Sequence, residues 1–535
     1  MVEHPKEEGF QCYQWYHYLW HLIAVGAIKT QGGSDAQYAV EPDAWALLKL
    51  RNGELPGSGE MIAMIDTGVN DRHPNLAGRV EASVDFAAHP YGATYGAQPD
   101  PAGASPRALA KPHAAQSVRR GLETVQPKSL VSDDTWSWAS GLLSDDGSAL
   151  LTRLQAGRGI THHDAHISRQ RYSGHGTACA GLMAGAPPRR EAGEKAAVRV
   201  KAVPLPDDGE GPLPYWGVAP GASILPIIVS AEPTAIQLIL ALLYARDNEV
   251  SVIHFPREAM DPRRAHKHHR DLEESRYDSD PTMKLAWDVF AKILEAVSGE
   301  IPVVCAAGNN GYDHVIYPAS KAAADDNGII AVGAVTYNAR RASYSNYSRA
   351  GESPAVTIAA PSDDEEMYTR YQLRLDRESP RWREHNFALH LHQSHAEEVD
   401  YSPQSLVTTD VPGPRGYAEG ILASISTEEV EEDDRAALYA LFGGTSGASA
   451  IVAGAVALLQ SKVRAAKGGP LGGKAVKDRL KDSGQRAVAW PWLADSSRSP
   501  KAVSVDRPNG EAKVAFEQQF GSGVLDLRAL LGSAP

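Results

Sequence analysis

The chain has 535 residues, with 53 Lys and Arg against 66 Asp and Glu, so its formal net charge at pH 7 is −13. An apolar fraction of 43% together with 48 Gly and 35 Pro is typical of a globular protein and excludes collagen-like and disordered chains. The negative balance argues against a nucleic-acid partner, because neutralising phosphates requires a basic face.

The N-terminal residues lack the basic segment and the cleavage site of a secretory signal, and residues 1–37 are interpreted as an N-terminal extension. No apolar run approaches the roughly 18 residues that a membrane-spanning helix needs, so no membrane partner is expected. Cys12, Cys179 and Cys305 are too few and too scattered for a disulfide framework. Together these features predict a cytoplasmic protein.

Short apolar runs rich in β-branched residues recur along the chain and predict buried strands. These runs are Met61–Ile65, Val198–Val203, Ile224–Val229, Val250–Phe255, Ile301–Ala307, Ile329–Val335 and Val356–Ala360. Between them, Ala235–Arg246 and Thr282–Ser298 carry the pattern of helices. The alternation of strands and helices predicts a three-layer α/β fold, in which helices flank a mainly parallel sheet on both faces.

Four polar or charge-dense stretches interrupt this alternation and are interpreted as long surface insertions on a single domain over residues 38–535. They lie near residues 87–161, 186–216, 258–281 and 362–419.

The first predicted strand delivers Asp66 to its carboxyl end, followed by Thr67 and Gly68. Ligand-binding loops gather at the carboxyl ends of parallel strands, which makes this carboxylate a candidate for chemistry. Taken alone, the motif fits equally well a carboxylate that only accepts hydrogen bonds from nearby backbone N–H groups.

His175 lies in the motif Ser173-Gly-His-Gly-Thr177, which opens a run of small residues typical of a tightly packed helix. An ionised carboxylate on one ring nitrogen would fix the tautomer and leave the other nitrogen as a base. By itself, the motif fits equally well a structural histidine at the start of a helix.

Ser446 lies in Gly443-Gly-Thr-Ser-Gly447, just before an apolar run that predicts a buried helix. The partial positive charge at a helix N-terminus favours an anion that develops there. A serine hydroxyl is inert at neutral pH without a base, so Ser446 as a nucleophile requires His175, and His175 requires Asp66.

Asn309 follows the predicted strand 301–307, and its side-chain N–H could donate to the oxyanion formed when Ser446 attacks a carbonyl. As a lone loop residue it would more simply form a turn. The order Asp, His, Ser excludes an α/β-hydrolase built on Ser446, because no histidine follows this serine in the chain.

With these motifs in this order, the sequence resembles the subtilisin-like serine peptidases, the subtilase or S8 family. The resemblance is carried by MIAMIDTGVNDRHPNL from Met61, SGHGTACAGLMAG from Ser173, VVCAAGNNG from Val303 and GGTSGASAIVAGAVALL from Gly443. It implies the subtilisin-like fold, with Asp66, His175 and Ser446 as the catalytic triad and Asn309 in the oxyanion hole.

The resemblance also implies that substrate is bound near four residues at the ends of two strands. They are Phe255, Pro256, Ala307 and Gly308. Cys179 resembles the buried free cysteine of the proteinase K-like branch, and a structural role is expected for it rather than a redox role, because a reactive thiol needs exposure and a cationic neighbour.

One departure from the family lies at Val252-Ile-His-Phe-Pro-Arg-Glu258, where subtilases commonly have a strand that pairs with the substrate backbone. Pro256 has no backbone N–H, while Arg257 and Glu258 replace small or apolar residues. We therefore expect altered substrate engagement.

The predicted function is that of a serine endopeptidase, which cleaves a protein or peptide substrate through an acyl-enzyme in limited or regulated proteolysis, with a possible regulatory partner. Two alternatives stay open: a catalytically silent scaffold with the same fold, and a peptide ligase or cyclase that uses the same acyl-enzyme. The chemistry requires no cofactor, and the sequence predicts no catalytic metal. Structural calcium is compatible with the family, but neither His162–His166 nor the acidic run 428–434 is assigned as a ligand set.

Overall fold

The computed structural model describes most of the chain between Tyr18 and Gly532. The described residues are 18–30, 40–51, 53–81, 83–86, 94–95, 127–157, 173–188, 212–230, 233–259, 280–342, 344–363, 367–369, 399–401, 405–411, 438–493, 500–503 and 514–532.

Strands and helices alternate along these residues. The strands are β1 (Ile28–Thr30), β2 (Val40–Pro42), β3 (Met61–Asp66), β4 (Val84–Asp85), β5 (Thr94–Tyr95), β6 (Ser223–Ile228), β7 (Val252–Phe255), β8 (Val303–Ala306), β9 (Ile329–Val335), β10 (Val356–Pro361), β11 (Met367–Thr369), β12 (Val399–Tyr401), β13 (Leu406–Thr409), β14 (Tyr439–Phe442), β15 (Gly484–Gln485), β16 (Ala487–Val488), β17 (Lys501–Ala502) and β18 (Val524–Leu525). The α-helices are α1 (Trp20–Ala24), α2 (Asp133–Ser140), α3 (Asp145–Gln155), α4 (Ser173–Ala184), α5 (Ala235–Asp247), α6 (Pro281–Glu300), α7 (Gly444–Lys467), α8 (Gly473–Ser483), α9 (Phe516–Phe520) and α10 (Leu527–Gly532).

One large sheet organises the fold, with the strand order β15-β18-β10-β9-β8-β7-β3-β6-β4-β5. All its neighbouring pairs from β18 through to β4 are parallel, and only the two outermost pairs are antiparallel. Six of the predicted apolar runs form β3 and β6 to β10. The seventh, Val198–Val203, lies outside the described residues.

The sheet separates two apolar cores, because successive side chains of a strand point to opposite faces. In β3, Ile62 and Met64 contribute to one core, while Ala63 and Ile65 contribute to the other. Helices α4 and α7 cover the first core, and α2, α3, α5 and α6 cover the second. This arrangement confirms the predicted three-layer α/β fold.

The two predicted helices are confirmed as α5 and α6, and side chains at their starts explain where they begin. At α5, Thr234 and Gln237 form a capping box. At α6, the Asp280 carboxylate accepts hydrogen bonds from the backbone N–H groups of Thr282 and Met283 at 2.9 and 3.1 Å.

Helix α7 is the one described helix whose length and apolar composition would allow it to cross a membrane. However, 89% of its apolar window is buried inside the protein, where it packs against the sheet and against α4. Its apolar character is therefore explained by its position as the central helix of one core.

The described part of the predicted N-terminal extension, residues 18–30, packs into the same core as α4 and α7. The indole N–H of Trp20 donates to Ser405 O at 3.3 Å, and that of Trp490 donates to Ala24 O at 2.9 Å. These bonds join the N-terminal segment to Ser405 and to the C-terminal part of the chain. Within the predicted insertions, α2 and α3 pack beside α5 and α6, whereas β13 pairs with β14.

Candidate active site

The Asp66 carboxylate and the His175 imidazole meet at the carboxyl end of β3. Asp66 is fully buried, and its Oδ2 lies 2.6 Å from Nδ1 of His175. Its Oδ1 accepts a hydrogen bond from the N–H of Thr67 at 2.8 Å. Since a carboxylate only accepts hydrogen bonds, the proton of this pair belongs to Nδ1, and Nε2 of His175 is left as the basic nitrogen.

The charge of Asp66 depends on its neighbours. Burial alone raises the pKa of its carboxyl, but the charge and hydrogen bond of His175, followed by the charge of Arg257, outweigh burial and hold the pKa of Asp66 below its usual value. Asp66 is therefore ionised at neutral pH and can stabilise a positive charge on His175.

Close packing places His175 in the first turn of α4. A Cβ atom on Gly176 would lie 2.1 Å from the carbonyl oxygen of Gly68, so only glycine lets α4 approach the loop after β3 this closely. From the other side, the ring of Phe442 in β14 meets the imidazole edge-on, with 5.6 Å between the ring centroids. The His175 side chain keeps 14% of its surface exposed, which leaves it accessible.

The start of α7 presents Ser446, which is 6% exposed. Two glycines precede it at positions that other residues would not fit. A Cβ on Gly443 would lie 1.8 Å from Oδ1 of Asp363, and Gly444 has a φ of +72°. The Asp363 carboxylate accepts a hydrogen bond from the N–H of Gly444 at 3.3 Å, so a negative group holds the N-terminus of the helix.

The residues after β7 connect the serine with the carboxylate. Among the described residues, the Ser446 hydroxyl makes one hydrogen bond, to the carbonyl oxygen of Pro256 at 3.2 Å, rather than to His175. The next residue, Arg257, places its Nη1 3.4 Å from Oδ1 of Asp66. Two successive residues, Pro256 and Arg257, thus contact Ser446 and Asp66, and Asp66 in turn binds His175.

Asn309 lies beside the start of α7, in the loop that follows β8. Its Oδ1 accepts hydrogen bonds from the backbone N–H and the hydroxyl of Thr445, at 2.8 and 2.7 Å. Its Nδ2 therefore faces the other way, and a Cβ on Gly444 would lie 2.9 Å from that nitrogen. No described acceptor binds Nδ2, so this N–H donor is available beside Gly444, two residues before Ser446.

The profile of the Subtilase family matches residues 57–521, which is most of the chain. The chain belongs to the subtilase family. It is a serine protease, as the members of this family are. No curated protein sequence matches this subtilase.

Solved structures similar to this subtilase include other proteases. One is described as proteases from Pseudoalteromonas arctica, with 16% identity over 92% of this chain and 93% of that chain and a TM-score of 0.44. Another is a lanthipeptide protease, with 14% identity, 90% of each chain covered and a TM-score of 0.45. A third is the epidermin leader peptide processing serine protease from Staphylococcus aureus, with 17% identity over 90% of this chain and 76% of that chain and a TM-score of 0.42. The family assignment rests on the family profile.

The residues predicted to lie near substrate differ in what they present. The side chains of Phe255 and Ala307 are buried in the second core, so these residues can offer only backbone atoms to the cleft. Pro256 offers the carbonyl oxygen that Ser446 contacts. Gly308 has a φ of +111°, and its N–H donates to the hydroxyl of Thr445 at 3.1 Å.

The buried His254 contacts the nucleophile's helix through Ser449, a role that the sequence did not predict. His254 Nε2 lies 2.9 Å from the hydroxyl of Ser449, which in turn donates to Ser446 O at 2.9 Å. Burial lowers the pKa of His254 to about 3, although the charge of Asp66 opposes that shift, so the ring is neutral. The helical spacing of Ser446 and Ser449 was visible in the sequence, but the partner on β7 was not.

Cys179 is buried on α4, one turn after His175. Burial, followed by the charge of Asp66, raises the pKa of its thiol well above the ordinary value, although Arg257 opposes this. A protonated, inaccessible thiol favours the expected structural role. Among the described residues, one group has potential metal-binding atoms that all lie within 4.8 Å of one another, and it consists of Asp66, His175 and Cys179. Metal binding requires a deprotonated thiol, whereas the Cys179 thiol is protonated, and the hydrogen-bonded Asp66–His175 pair is suited to proton transfer.

Proposed function

We propose that this subtilase is an endopeptidase that cleaves a protein or peptide substrate at few sites, through an acyl-enzyme on Ser446. The observation that carries the proposal is the 2.6 Å hydrogen bond between the ionised, buried Asp66 and Nδ1 of His175. That bond orients the ring so that Nε2 acts as a base, and it stabilises the imidazolium formed during the reaction. Hydrolysis through a triad needs this arrangement, whereas a scaffold would not.

The chemical step begins when the Ser446 hydroxyl turns from Pro256 O to Nε2 of His175. Its oxygen attacks the peptide carbonyl carbon while its proton passes to Nε2. The negative oxygen that results is held by Nδ2 of Asn309 and the backbone N–H of Ser446. The C–N bond then breaks as His175 gives the proton to the leaving amine. A water molecule next attacks the acyl carbon while its proton passes to His175, and the acyl group leaves as His175 returns that proton to the oxygen of Ser446.

Restricted cleavage is favoured by the segment after β7. A substrate strand that paired with residues 255–258 would lack one backbone hydrogen bond, because Pro256 has no N–H to donate. Arg257 and the exposed Glu258 add charge there. A substrate must compensate through its own side chains, which favours selected sequences over general digestion.

Fluorophosphonate labelling of the full chain, with the labelled peptide mapped by mass spectrometry, tests the nucleophile. We expect a single adduct on Ser446 in the wild type and none in Ser446→Ala. Ser461→Ala, which removes a serine further along the same helix, is the matched control and should label like the wild type. A folded wild type that stays unlabelled would instead favour the scaffold alternative.

Incubation with native and denatured test proteins then examines the products. We expect few discrete fragments, each with a newly formed carboxylate, and no fragments from Ser446→Ala. Joined or cyclised peptides would favour the ligase alternative, and complete digestion to small peptides would contradict restricted cleavage.

A further inference from the structure

The Asp66 carboxylate has a third partner that its role in a triad does not require. Its Oδ2 is engaged by His175 at 2.6 Å, and its Oδ1 already accepts from the N–H of Thr67 at 2.8 Å. Arg257 nevertheless places a guanidinium nitrogen 3.4 Å from the same Oδ1, with only 12% of its side chain exposed. A partly buried cation therefore contacts the carboxylate through the oxygen that does not bind the imidazole.

Sharing the carboxylate has an electrostatic consequence for His175. Asp66 stabilises the protonated imidazole because the two charges are opposite, and the Arg257 charge offsets part of that attraction. Removing the Arg257 charge should therefore strengthen the attraction between Asp66 and the protonated ring, and so favour the form of His175 that cannot act as a base. Burial keeps this effect from being screened by solvent as strongly as it would be at the surface.

We propose that Arg257 is a positioning residue that tunes the Asp66–His175 pair and extends the activity of the enzyme toward acidic pH. The proposal rests on the proposed role of Ser446 as the nucleophile. It assigns to Arg257 a function in the reaction itself, beyond the altered substrate engagement expected from its place after β7.

The other groups around the imidazole do not supply the same charge. On β7, His254 is buried and neutral, as its lowered pKa of about 3 requires. On α4, the Cys179 thiol is protonated. From β14, the neighbour is the uncharged ring of Phe442. Among the described residues that face the pair, Arg257 is the one that brings a positive charge at neutral pH.

The test is the rate of fluorophosphonate labelling of Ser446 as a function of pH, because that rate follows the fraction of His175 that is neutral and needs no knowledge of the natural substrate. Arg257→Met removes the charge and keeps an unbranched side chain. Arg257→Lys keeps the charge. Arg486→Met is the matched control, since Arg486 pairs with Glu517 on the surface and its loss changes the net charge of the chain by the same amount.

In Arg257→Met we expect the acidic midpoint of the labelling rate to rise by about one pH unit, the lower end of the shifts that a nearby charge causes. Arg257→Lys and Arg486→Met should keep the wild-type midpoint to within a few tenths of a unit. Should Arg257→Met fail to fold, Arg257→Gln removes the same charge while keeping a donor, and the same shift is expected.

An unshifted midpoint in a charge-removing variant that still labels would overturn the proposal and leave Arg257 with a role in packing alone. An equal shift in Arg486→Met would also overturn it, because net charge would then be the cause. Failure of the proposed function looks different, since the wild type itself would not be labelled at any pH.

Discussion

The buried His254 makes the stability of the protein fall in acid, and the size of this effect follows from its surroundings. The ring is 0% exposed, and the side-chain nitrogen that does not face Ser449 has no described hydrogen-bond partner. Its pKa is lowered from 6.5 to about 3 by burial. As the pH falls below 6.5, His254 binds a proton in the unfolded chain but not in the folded chain, so stability is lost between pH 6.5 and about 3.

At pH 5 the gap of roughly 1.5 pH units below the unfolded pKa corresponds to about 2 kcal/mol from this one ring. His254→Asn removes the titration and keeps a donor for Ser449, so its stability should change less than that of the wild type between pH 7 and pH 5. Urea unfolding at both pH values measures the difference, in a Ser446→Ala background that prevents self-cleavage.

His314→Asn is the control, because it removes a histidine whose side chain is 34% exposed rather than buried. If His254→Asn and its parent lost the same stability between pH 7 and pH 5, the ring would not be held neutral by burial and the reasoning would be refuted.

Three further substitutions test other parts of the structure. Asn309→Ala should slow peptide cleavage by about 10²–10³-fold, the loss that follows removal of such a donor in subtilisin, and steady-state kinetics would show an unchanged rate if Asn309 were only a turn residue. Lys477→Met should lower the free energy of unfolding by about 3 kcal/mol. The buried ammonium donates to the carbonyl oxygens of Ala322 and Ala324, and each buried acceptor that is left without a hydrogen bond costs roughly 1–3 kcal/mol. An unchanged urea midpoint would contradict this. Gly176→Ala should abolish labelling of Ser446, since the added methyl group would overlap a backbone carbonyl of the loop after β3, and normal labelling would show that α4 can shift.

Much of the fold could be predicted because burial leaves a local pattern in the sequence. The run Met61–Ile65 is apolar at every position, as a strand between two cores must be, and it forms β3. Helix α6 carries its own start signal in Asp280 and Pro281. Residues with strong local signals of this kind were placed correctly to within a few positions.

Contacts between distant segments could not be predicted in the same way. Arg257 meets Asp66 across 191 residues of sequence, and His254 meets Ser449 across 195. Which way a side chain points after a strand ends depends on packing that no local pattern encodes. The same applies to residues 18–30, whose burial depends on aromatic partners near the other end of the chain.

Several predictions concern segments outside the described residues and stay predictions. They include the strand at Val198–Val203, the segments His162–His166 and 428–434, which are not assigned as ligand sets, and most of the four insertions. The domain bounds, the cytoplasmic location, a regulatory partner and structural calcium likewise stay predictions.

The dependence of Ser446 on His175 is tested most directly by comparing the rate of fluorophosphonate labelling in the wild type with that in His175→Ala. A relay that runs from Asp66 through the imidazole to the serine predicts one adduct, on Ser446, forming at least about 10³-fold more slowly without the imidazole. Equal rates in the two proteins, or a wild-type adduct on any other residue, would contradict it.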